Sequence, residues 1–286
     1  MVRRISERRL PVSARDDFAQ MAAREDDAIE IDRGALLIAA EEYPDLWMDE
    51  YLDKLEGLAQ RVRALLYKDA GPRETLARLN QVLFVEESFR GDSKEYYDPR
   101  NSYLNEVIDR RIGIPITLSA VYGEVARRVG FRLQGVSFPG HFLLKHEMEE
   151  GELIIDPFNR GHVLTHDDCR ARLKDNFQGK LEFHPQQLAS TSPRLMLFRI
   201  LGNLKSIYVN RREHPRALAA VERMLLLVPD SPPEVRDRGI LLSGVGRPLE
   251  GVGELARYLR LKPDAGDRER VEGIMDRLRL QVGMAN

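Results

Sequence analysis

Cysteine is nearly absent from this chain. Cys169 is the only cysteine among the 286 residues, so neither an intrachain disulfide nor a cysteine-based metal cluster can form. One free thiol is typical of proteins in a reducing compartment, and we therefore expect the protein in the cytoplasm. Long apolar runs are missing as well, since no stretch approaches the ~20 residues that a membrane-spanning helix requires. The N-terminus is basic but lacks the apolar segment of a secretory signal.

An excess of either charge is also missing. Lys and Arg number 44 and Asp and Glu number 46, which gives a formal net charge of −2. This balance argues against extensive binding to nucleic acid or to a membrane, and we expect neither partner. Residues 1–15 hold five arginines and little apolar material. We interpret them as a mobile, solvated arm rather than as an arm that binds nucleic acid.

Three predicted helices precede the most informative part of the chain. Residues 33–42 are apolar enough for a helix that is buried on most sides. A second helix is predicted from Leu46 to Tyr67, where Trp47 and Tyr51 begin a stripe of core residues at steps of three and four. A third helix is predicted over residues 72–87, starting at a proline.

A turn, an apolar helix and several short strands are predicted between residues 101 and 161. Pro115 suits the first position of the helix, and Gly130 suits the left-handed position after its end. Runs rich in β-forming residues follow at 133–138, 142–145, 153–156 and, less regularly, 162–164. This layout is typical of a papain-like or transglutaminase-like α+β domain.

His141 and Asp156 are the candidate catalytic pair on these strands. His141 follows the Pro139-Gly140 turn, and Asp156 ends a later strand and precedes a proline. A thiol enzyme of this layout uses a histidine as base and a carboxylate that orients the imidazole. A hairpin would bring these two residues side by side. The alternatives remain open that His141 is a hydrogen-bonded core residue and that Asp156 is a turn former.

Several motifs together resemble the transglutaminase-like core of the SirB-type bacterial proteins. The motifs are Asn105-Glu106, Gly113-Ile114-Pro115, the helix that ends at Gly130, Pro139-Gly140-His141-Phe142 and Asp156-Pro157-Phe158. The resemblance covers roughly residues 30 to 284. It implies a transglutaminase-like domain followed by tetratricopeptide repeats, with His141 and Asp156 in the histidine and aspartate positions. It does not imply a substrate, because the family is of largely unknown function.

The nucleophile of such a site is missing. Pro115 and Ile116 stand where the resemblance places the transglutaminase cysteine, and neither side chain can attack a substrate. The hydroxyls of Thr117 and Ser119 lie in the first turns of the same helix and are candidate replacements. Both also have an ordinary use within a helix, as caps or as donors to backbone carbonyls. Cys169 lies beyond the strands, and we interpret it as an inert thiol.

The spacing of the histidines does not favour a metal site. His141, His146 and His162 are close in sequence. His141 and His146 are separated by an odd number of residues, so a regular strand would place them on opposite faces. We expect no metal and no cofactor.

The last third of the chain contains a repeat. Leu227-Val228-Pro229-Asp230 recurs as Leu261-Lys262-Pro263-Asp264, a spacing typical of tetratricopeptide helix pairs. In this register Gly239 and Gly251 occupy the small positions of the second unit. Two units are fewer than the three that usually stand alone, so we expect the array to pack against the first domain.

These observations predict an arm at residues 1–15, a transglutaminase-like domain at 16–177, a linker at 178–194 and a helical repeat region at 195–286. We expect a largely non-catalytic protein that takes part in protein interaction or regulation, with a protein or peptide bound by the repeats. The alternative is a hydrolase or acyltransferase that uses Thr117 or Ser119 with His141 and Asp156.

Overall fold

A computed structural model describes residues 13–284 of the chain. The arm expected at residues 1–15 lies outside the described residues up to residue 12. Ser13 already caps the first helix, since its hydroxyl accepts a hydrogen bond from the Asp16 amide. The helices are α1 (Ala14–Ala22), α2 (Ile31–Glu42), α3 (Met48–Leu65), α4 (Pro72–Asn80), α5 (Leu104–Arg110), α6 (Pro115–Arg128), α7 (His166–Asn176), α8 (Pro193–Asn210), α9 (His214–Leu227), α10 (Pro232–Gly244), α11 (Pro248–Leu261) and α12 (Arg268–Met284).

The strands form one antiparallel sheet and one short parallel pair. The strands are β1 (Arg90–Gly91), β2 (Ile112–Gly113), β3 (Gln134–Val136), β4 (Leu143–Glu147), β5 (Glu152–Asp156), β6 (His162–Leu164) and β7 (Ser190–Thr191). The sheet has the order β6-β5-β4-β3-β7, and β1 pairs with β2 beside the start of α6. The predicted α+β class, followed by an all-helical region, is therefore confirmed.

Helix α6 crosses the centre of the first domain. Nearly all of its first turns are buried, and Gly130 follows its end with φ of +83°, the conformation that favours glycine. The helix packs against α3 on one side and against β4 on the other. Helix α6 is therefore in contact with the strand that directly follows the His141 loop.

The predicted core stripe of the second helix is wrong at its first residue. Trp47 stands before the first turn of α3, and its side chain is 69% exposed. The periodic residues Leu55, Leu58 and Val62 are buried as expected. The helix predicted over residues 72–87 has the regular α form only to Asn80 and continues as one turn of π-helix to Glu86.

The segment expected as a linker, residues 178–194, contributes to the sheet. It contains a short 3-10 turn and β7, whose residues pair antiparallel with β3. The strand at the edge of the sheet is therefore supplied by the chain on its way to the helical region.

Helices α8 to α12 form stacked antiparallel pairs. The recurring Leu-Xaa-Pro-Asp segments directly follow α9 and α11, as the repeat predicts. Gly239 and Gly251 bring α10 and α11 together, since a Cβ at Gly251 would lie 2.7 Å from the Gly239 carbonyl oxygen. The small residues of the repeat therefore allow close packing of the two helices within a unit.

The helical region is continuous with the first domain. One cluster of buried apolar residues runs from Phe18 of α1 to Leu242 of α10. Helix α8 packs on α2 where Gly34 leaves room for the Leu197 side chain. The hydroxyls of Tyr103 and Tyr208 lie 2.6 Å apart across the same boundary. In residues 13–284 no helix is both long and apolar enough to cross a bilayer.

Candidate functional site

His141 and Asp156 meet in a buried hydrogen-bonded pair. The Nε2 atom of His141 lies 2.9 Å from Oδ1 of Asp156. The Asp156 side chain is completely buried, and that of His141 is 10% exposed. Among the described residues, Nδ1 of His141 has no hydrogen-bond partner. The imidazole is thus oriented by a carboxylate through one nitrogen while the other stays free, as in thiol enzymes of this layout.

The Asp156 carboxylate is held by three side chains. Besides His141, the Asn159 side-chain amide donates to Oδ2 at 2.7 Å and Arg172 of α7 donates to Oδ2 at 2.5 Å. Burial alone would raise the pKa of Asp156. The hydrogen bond and charge of His141, with the bonds from Asn159 and Arg172, outweigh it and hold the pKa of Asp156 well below its usual range. Asp156 is therefore ionised, and its carboxylate fixes the orientation of the His141 ring.

The start of α6 offers no attacking atom. Pro115 and Ile116 are both buried, so the position of the expected cysteine is filled by hydrocarbon. Thr117 is fully buried and its hydroxyl is engaged by the backbone: it donates to the Asn101 carbonyl at 2.7 Å and accepts from the Ile114 amide at 3.1 Å. Thr117 thus closes the first turn of the helix instead of facing the imidazole.

Ser119, the other candidate nucleophile, and the thiol of Cys169 make no hydrogen bond to the pair. Ser119 is fully buried, and its hydroxyl has no hydrogen-bond partner within residues 13–284. Cys169 is fully buried in the small core under the sheet, and burial raises the pKa of its thiol to about 11. The structure brings His141 and Asp156 together and does not bring Thr117, Ser119 or Cys169 into hydrogen-bonding contact with them.

A chain of close contacts connects the pair to the start of α6. The Phe158 ring meets the His141 imidazole edge-on, with 5.8 Å between centroids. The other side of Phe158 packs on Gly91 of β1, where a Cβ would come within 2.5 Å of the ring. Gly91 pairs with Gly113, which directly precedes the cap of α6. Phe158, Gly91 and Gly113 therefore connect the imidazole to the start of α6.

Arg199 of α8 holds the loop that carries His141. Its guanidinium donates to the His141 carbonyl at 2.7 Å and to the Ser137 hydroxyl at 2.9 Å. It also lies over the Phe142 ring. Burial lowers the pKa of Arg199 from its usual value. The helical region thus contributes directly to the position of the imidazole.

The sequence motifs indicate His141 and Asp156 but not the residues that hold them in place. Asn159 lies three residues after Asp156 in an Asp-Pro-Phe-Asn turn, a local signal that was available. Arg172 and Arg199 reach the site from α7 and α8, and their sequence neighbourhood does not mark them.

The three histidines considered as metal ligands are separate in the structure. His146 bonds to the Arg132 carbonyl at 2.9 Å, and His162 pairs with Asp156 only through the strand register. The described part of the chain holds no group of three or more His, Cys, Asp or Glu residues placed to bind a metal ion.

Two family models match the chain. A model of the transglutaminase-like superfamily matches residues 49–202, and a tetratricopeptide repeat model matches residues 204–276. The first match covers the helix and strands of the His–Asp pair, and the second covers the stacked helices.

Similar proteins occur in bacteria and in mammals. A UPF0162 protein of Xylella fastidiosa (strain 9a5c) is 38% identical over 256 residues, which cover 88% of this chain and 91% of the relative. Protein SirB1 of Salmonella typhimurium is 30% identical over 226 residues, 78% of this chain and 82% of the relative. F-box only protein 21 of Mus musculus is 33% identical over 142 residues, 47% of this chain and 22% of the relative. No solved structure matches the chain.

Proposed function

Because this chain belongs to the transglutaminase-like superfamily but carries hydrocarbon where the nucleophile should stand, we propose that it is a non-catalytic member that binds a protein or peptide partner. The observation that carries the proposal is the buried Pro115-Ile116 pair at the start of α6. A thiolate enzyme needs an ionisable sulfur at such a helix start, and a hydroxyl enzyme needs an oxygen near the base. Neither arrangement occurs at the described site.

The His–Asp pair keeps a structural use in this proposal. Asp156 joins β5 to α7 through Arg172, and His141 joins the loop before β4 to Asp156. Removing one partner of such a buried pair leaves the other charge uncompensated, so the pair persists after the chemistry is lost.

The binding function rests on the helical repeats. Repeats of this kind stack into extended surfaces that bind other proteins. Helix α8 presents Leu195 and Val209 to solvent about four turns apart, and α10 presents Ile240. We propose this exposed face as the contact for a partner segment. A reducing cytoplasm suits a protein whose only cysteine is a buried free thiol.

An activity assay on matched variants tests the proposal. The purified full-length protein and its His141→Ala variant would be incubated with a library of peptide amides and with glutamine-donor and amine-acceptor pairs. We expect no turnover above the buffer background for either protein. Hydrolysis or transamidation by the wild type that His141→Ala abolishes would overturn the non-catalytic reading.

The binding part needs its own measurement. Proteins retained from a bacterial lysate by the wild type would be compared with those retained by a Val209→Glu/Ile240→Glu variant of unchanged circular dichroism. We expect the variant to lose a specific subset, because two charges on an apolar contact face require costly desolvation. Identical retention by both proteins would remove the exposed face of α8 and α10 from the proposal.

A further inference from the structure

A cleft lies between the end of α2, the start of α3 and α5. It has a volume of about 390 Å³ and shares no residue with the His–Asp pair or with the helical repeats. The lining residues are Glu42, Tyr43, Pro44, Asp45, Leu46, Tyr51, Asn105, Glu106 and Asp109. The cleft is therefore separate from the residues on which the proposed function rests.

The charge inside this cleft is negative. Four carboxylates line it, and two of them are neutralised: Glu42 by Arg216 at 2.6 Å and Asp109 by Lys54 at 2.8 Å. Asp45 and Glu106 form no ion pair with any described residue. The nearby Arg100 is already engaged by Asp98 at 2.6 Å. Asp45 and Glu106 thus line the cleft without a cationic partner, and the Tyr43 hydroxyl hydrogen-bonds to Glu106.

One buried acceptor on the wall of the cleft has no hydrogen-bond donor. Asn105 is 5% exposed, and its carboxamide oxygen has no hydrogen-bond partner among residues 13–284. A buried acceptor without a donor is uncommon and costs stability unless a ligand or water supplies the hydrogen bond. The unpartnered Asn105 oxygen and two carboxylates without a cationic partner fit a ligand that is cationic and rich in N–H donors.

The only tryptophan of the chain stands at the edge of this cleft. Trp47 directly follows the lining residue Leu46, and its ring is 69% exposed. Tryptophan is among the residues that contribute most of the binding energy at protein interfaces, and Trp47 is exposed next to a charged cleft. Aromatic faces also attract guanidinium groups. Tyr43 and Tyr51 add two further rings to the wall.

We propose that this cleft binds an arginine side chain on an extended segment of a partner protein. The planar guanidinium offers five donors to Asp45, Glu106 and the Asn105 oxygen, and Trp47 covers the adjacent backbone. Charge complementarity selects arginine over an acidic or neutral residue.

Trp47 provides the measurement, because no other tryptophan contributes to the fluorescence. The full-length protein would be titrated with acetyl-Gly-Gly-Arg-Gly-Gly-amide and with the same peptide carrying citrulline, the uncharged isostere of arginine. We expect the arginine peptide to shift the Trp47 emission and to bind at least about tenfold more tightly than the citrulline peptide. Raising the salt concentration should weaken only the arginine peptide.

Matched variants assign the effect to the cleft. Asp45→Asn/Glu106→Gln should remove the preference for arginine over citrulline. Glu149→Gln/Glu150→Gln removes the same charge from the exposed β4–β5 turn and should leave the preference intact. Both pairs are at least partly exposed, so circular dichroism should show a folded protein in each case.

Four results would overturn the proposal. Equal binding of the two peptides would exclude recognition of charge. An unchanged preference in Asp45→Asn/Glu106→Gln would place the binding elsewhere. Arginine binding that occurs only after deletion of residues 2–12 would identify the chain's own N-terminal segment as the occupant. A Trp47 emission that depends on protein concentration, with dimers in sedimentation, would identify a second copy.

Discussion

At the scale of single residues, Asp156 connects several parts of the first domain. One buried carboxylate receives bonds from His141 before β4, from Asn159 in the turn after β5 and from Arg172 on α7. Each of these hydrogen bonds is accepted by a carboxylate, and charge-assisted hydrogen bonds are stronger than those between neutral groups. The geometry of the site therefore depends on this residue more than on His141 itself.

Replacing Asp156 with asparagine should lower the free energy of unfolding by about 3 kcal/mol at pH 7, because the buried Arg172 pair and the hydrogen bond to His141 lose their carboxylate. The folded-state pKa of Asp156 lies below its usual value of 3.8, so its contribution is complete above about pH 4. It is lost as the pH falls below about 4. Urea unfolding at several pH values should show the difference between wild type and variant shrinking in that range.

An exposed aspartate provides the control for this experiment. Asp276 on α12 is 69% exposed and pairs only with Arg279. Asp276→Asn should change the free energy of unfolding by less than about 0.5 kcal/mol. A similar loss in both variants would show that Asp156 has no special role.

The two helix hydroxyls should respond oppositely to removal. Thr117→Val leaves the Ile114 amide and the Asn101 carbonyl without a partner and should cost about 1–3 kcal/mol. Ser119→Ala removes a buried hydroxyl that has no partner and should be neutral or slightly stabilising. Thermal unfolding of both variants checks this. A larger loss for Ser119→Ala than for Thr117→Val would contradict the hydrogen bonding described here.

Residue-level prediction succeeded where the signal is local. His141 lies two residues before β4 and Asp156 ends β5, so the β4–β5 hairpin brings the two side chains together. Trp47 was predicted to be buried because its spacing continues the stripe of α3, but it precedes the helix and periodicity no longer applies. Arg199 is brought to the site by the docking of α8, which the local pattern does not encode.

At the scale of elements, the crossing of α2 and α8 decides how the two parts of the chain meet. Gly34 is buried in the middle of α2, and a Cβ there would overlap a δ-carbon of Leu197. The glycine lowers the helix propensity of α2 and in return lets α8 approach closely. The element order and the repeat were predictable, but this close approach depends on contacts between distant segments.

Gly34→Ala should therefore destabilise the protein although alanine favours helices. Overpacking against Leu197 costs about 1–3 kcal/mol, which exceeds the helix-propensity gain of about 1 kcal/mol. Gly57→Ala on α3 is the matched change, because a Cβ at Gly57 meets nothing within 4 Å. It should stabilise by about 0.5–1 kcal/mol. Chemical denaturation of both variants gives the comparison, and stabilisation by Gly34→Ala would refute the close contact.

At the scale of the whole molecule, the first domain and the first repeat share one core. Phe18, Leu36, Leu201 and Leu242 belong to the same buried cluster, whereas Leu255 belongs to a separate cluster around α11 and α12. The border between the two clusters thus lies inside the helical region. The sequence predicted that the two repeats would pack against the first domain, and the domain boundary at residues 178–194 remains a prediction.

Two truncations should show whether the first domain folds without the helical region. A protein cut after residue 192 loses Leu197 and Leu201 from the main cluster and should lack a cooperative thermal transition and bind a hydrophobic dye. A protein cut after residue 247 keeps the main cluster and should retain the near-ultraviolet circular dichroism of the first domain. A fully folded product of the shorter cut would show that the two parts are independent.

One face of α8 is buried in the core that the first domain and the repeats share, and another face is open to solvent. Arg199 on the same helix donates to the His141 carbonyl, so any movement of α8 would be carried to the loop that holds the imidazole. The orientation of that ring is therefore coupled to the docking of the helical region.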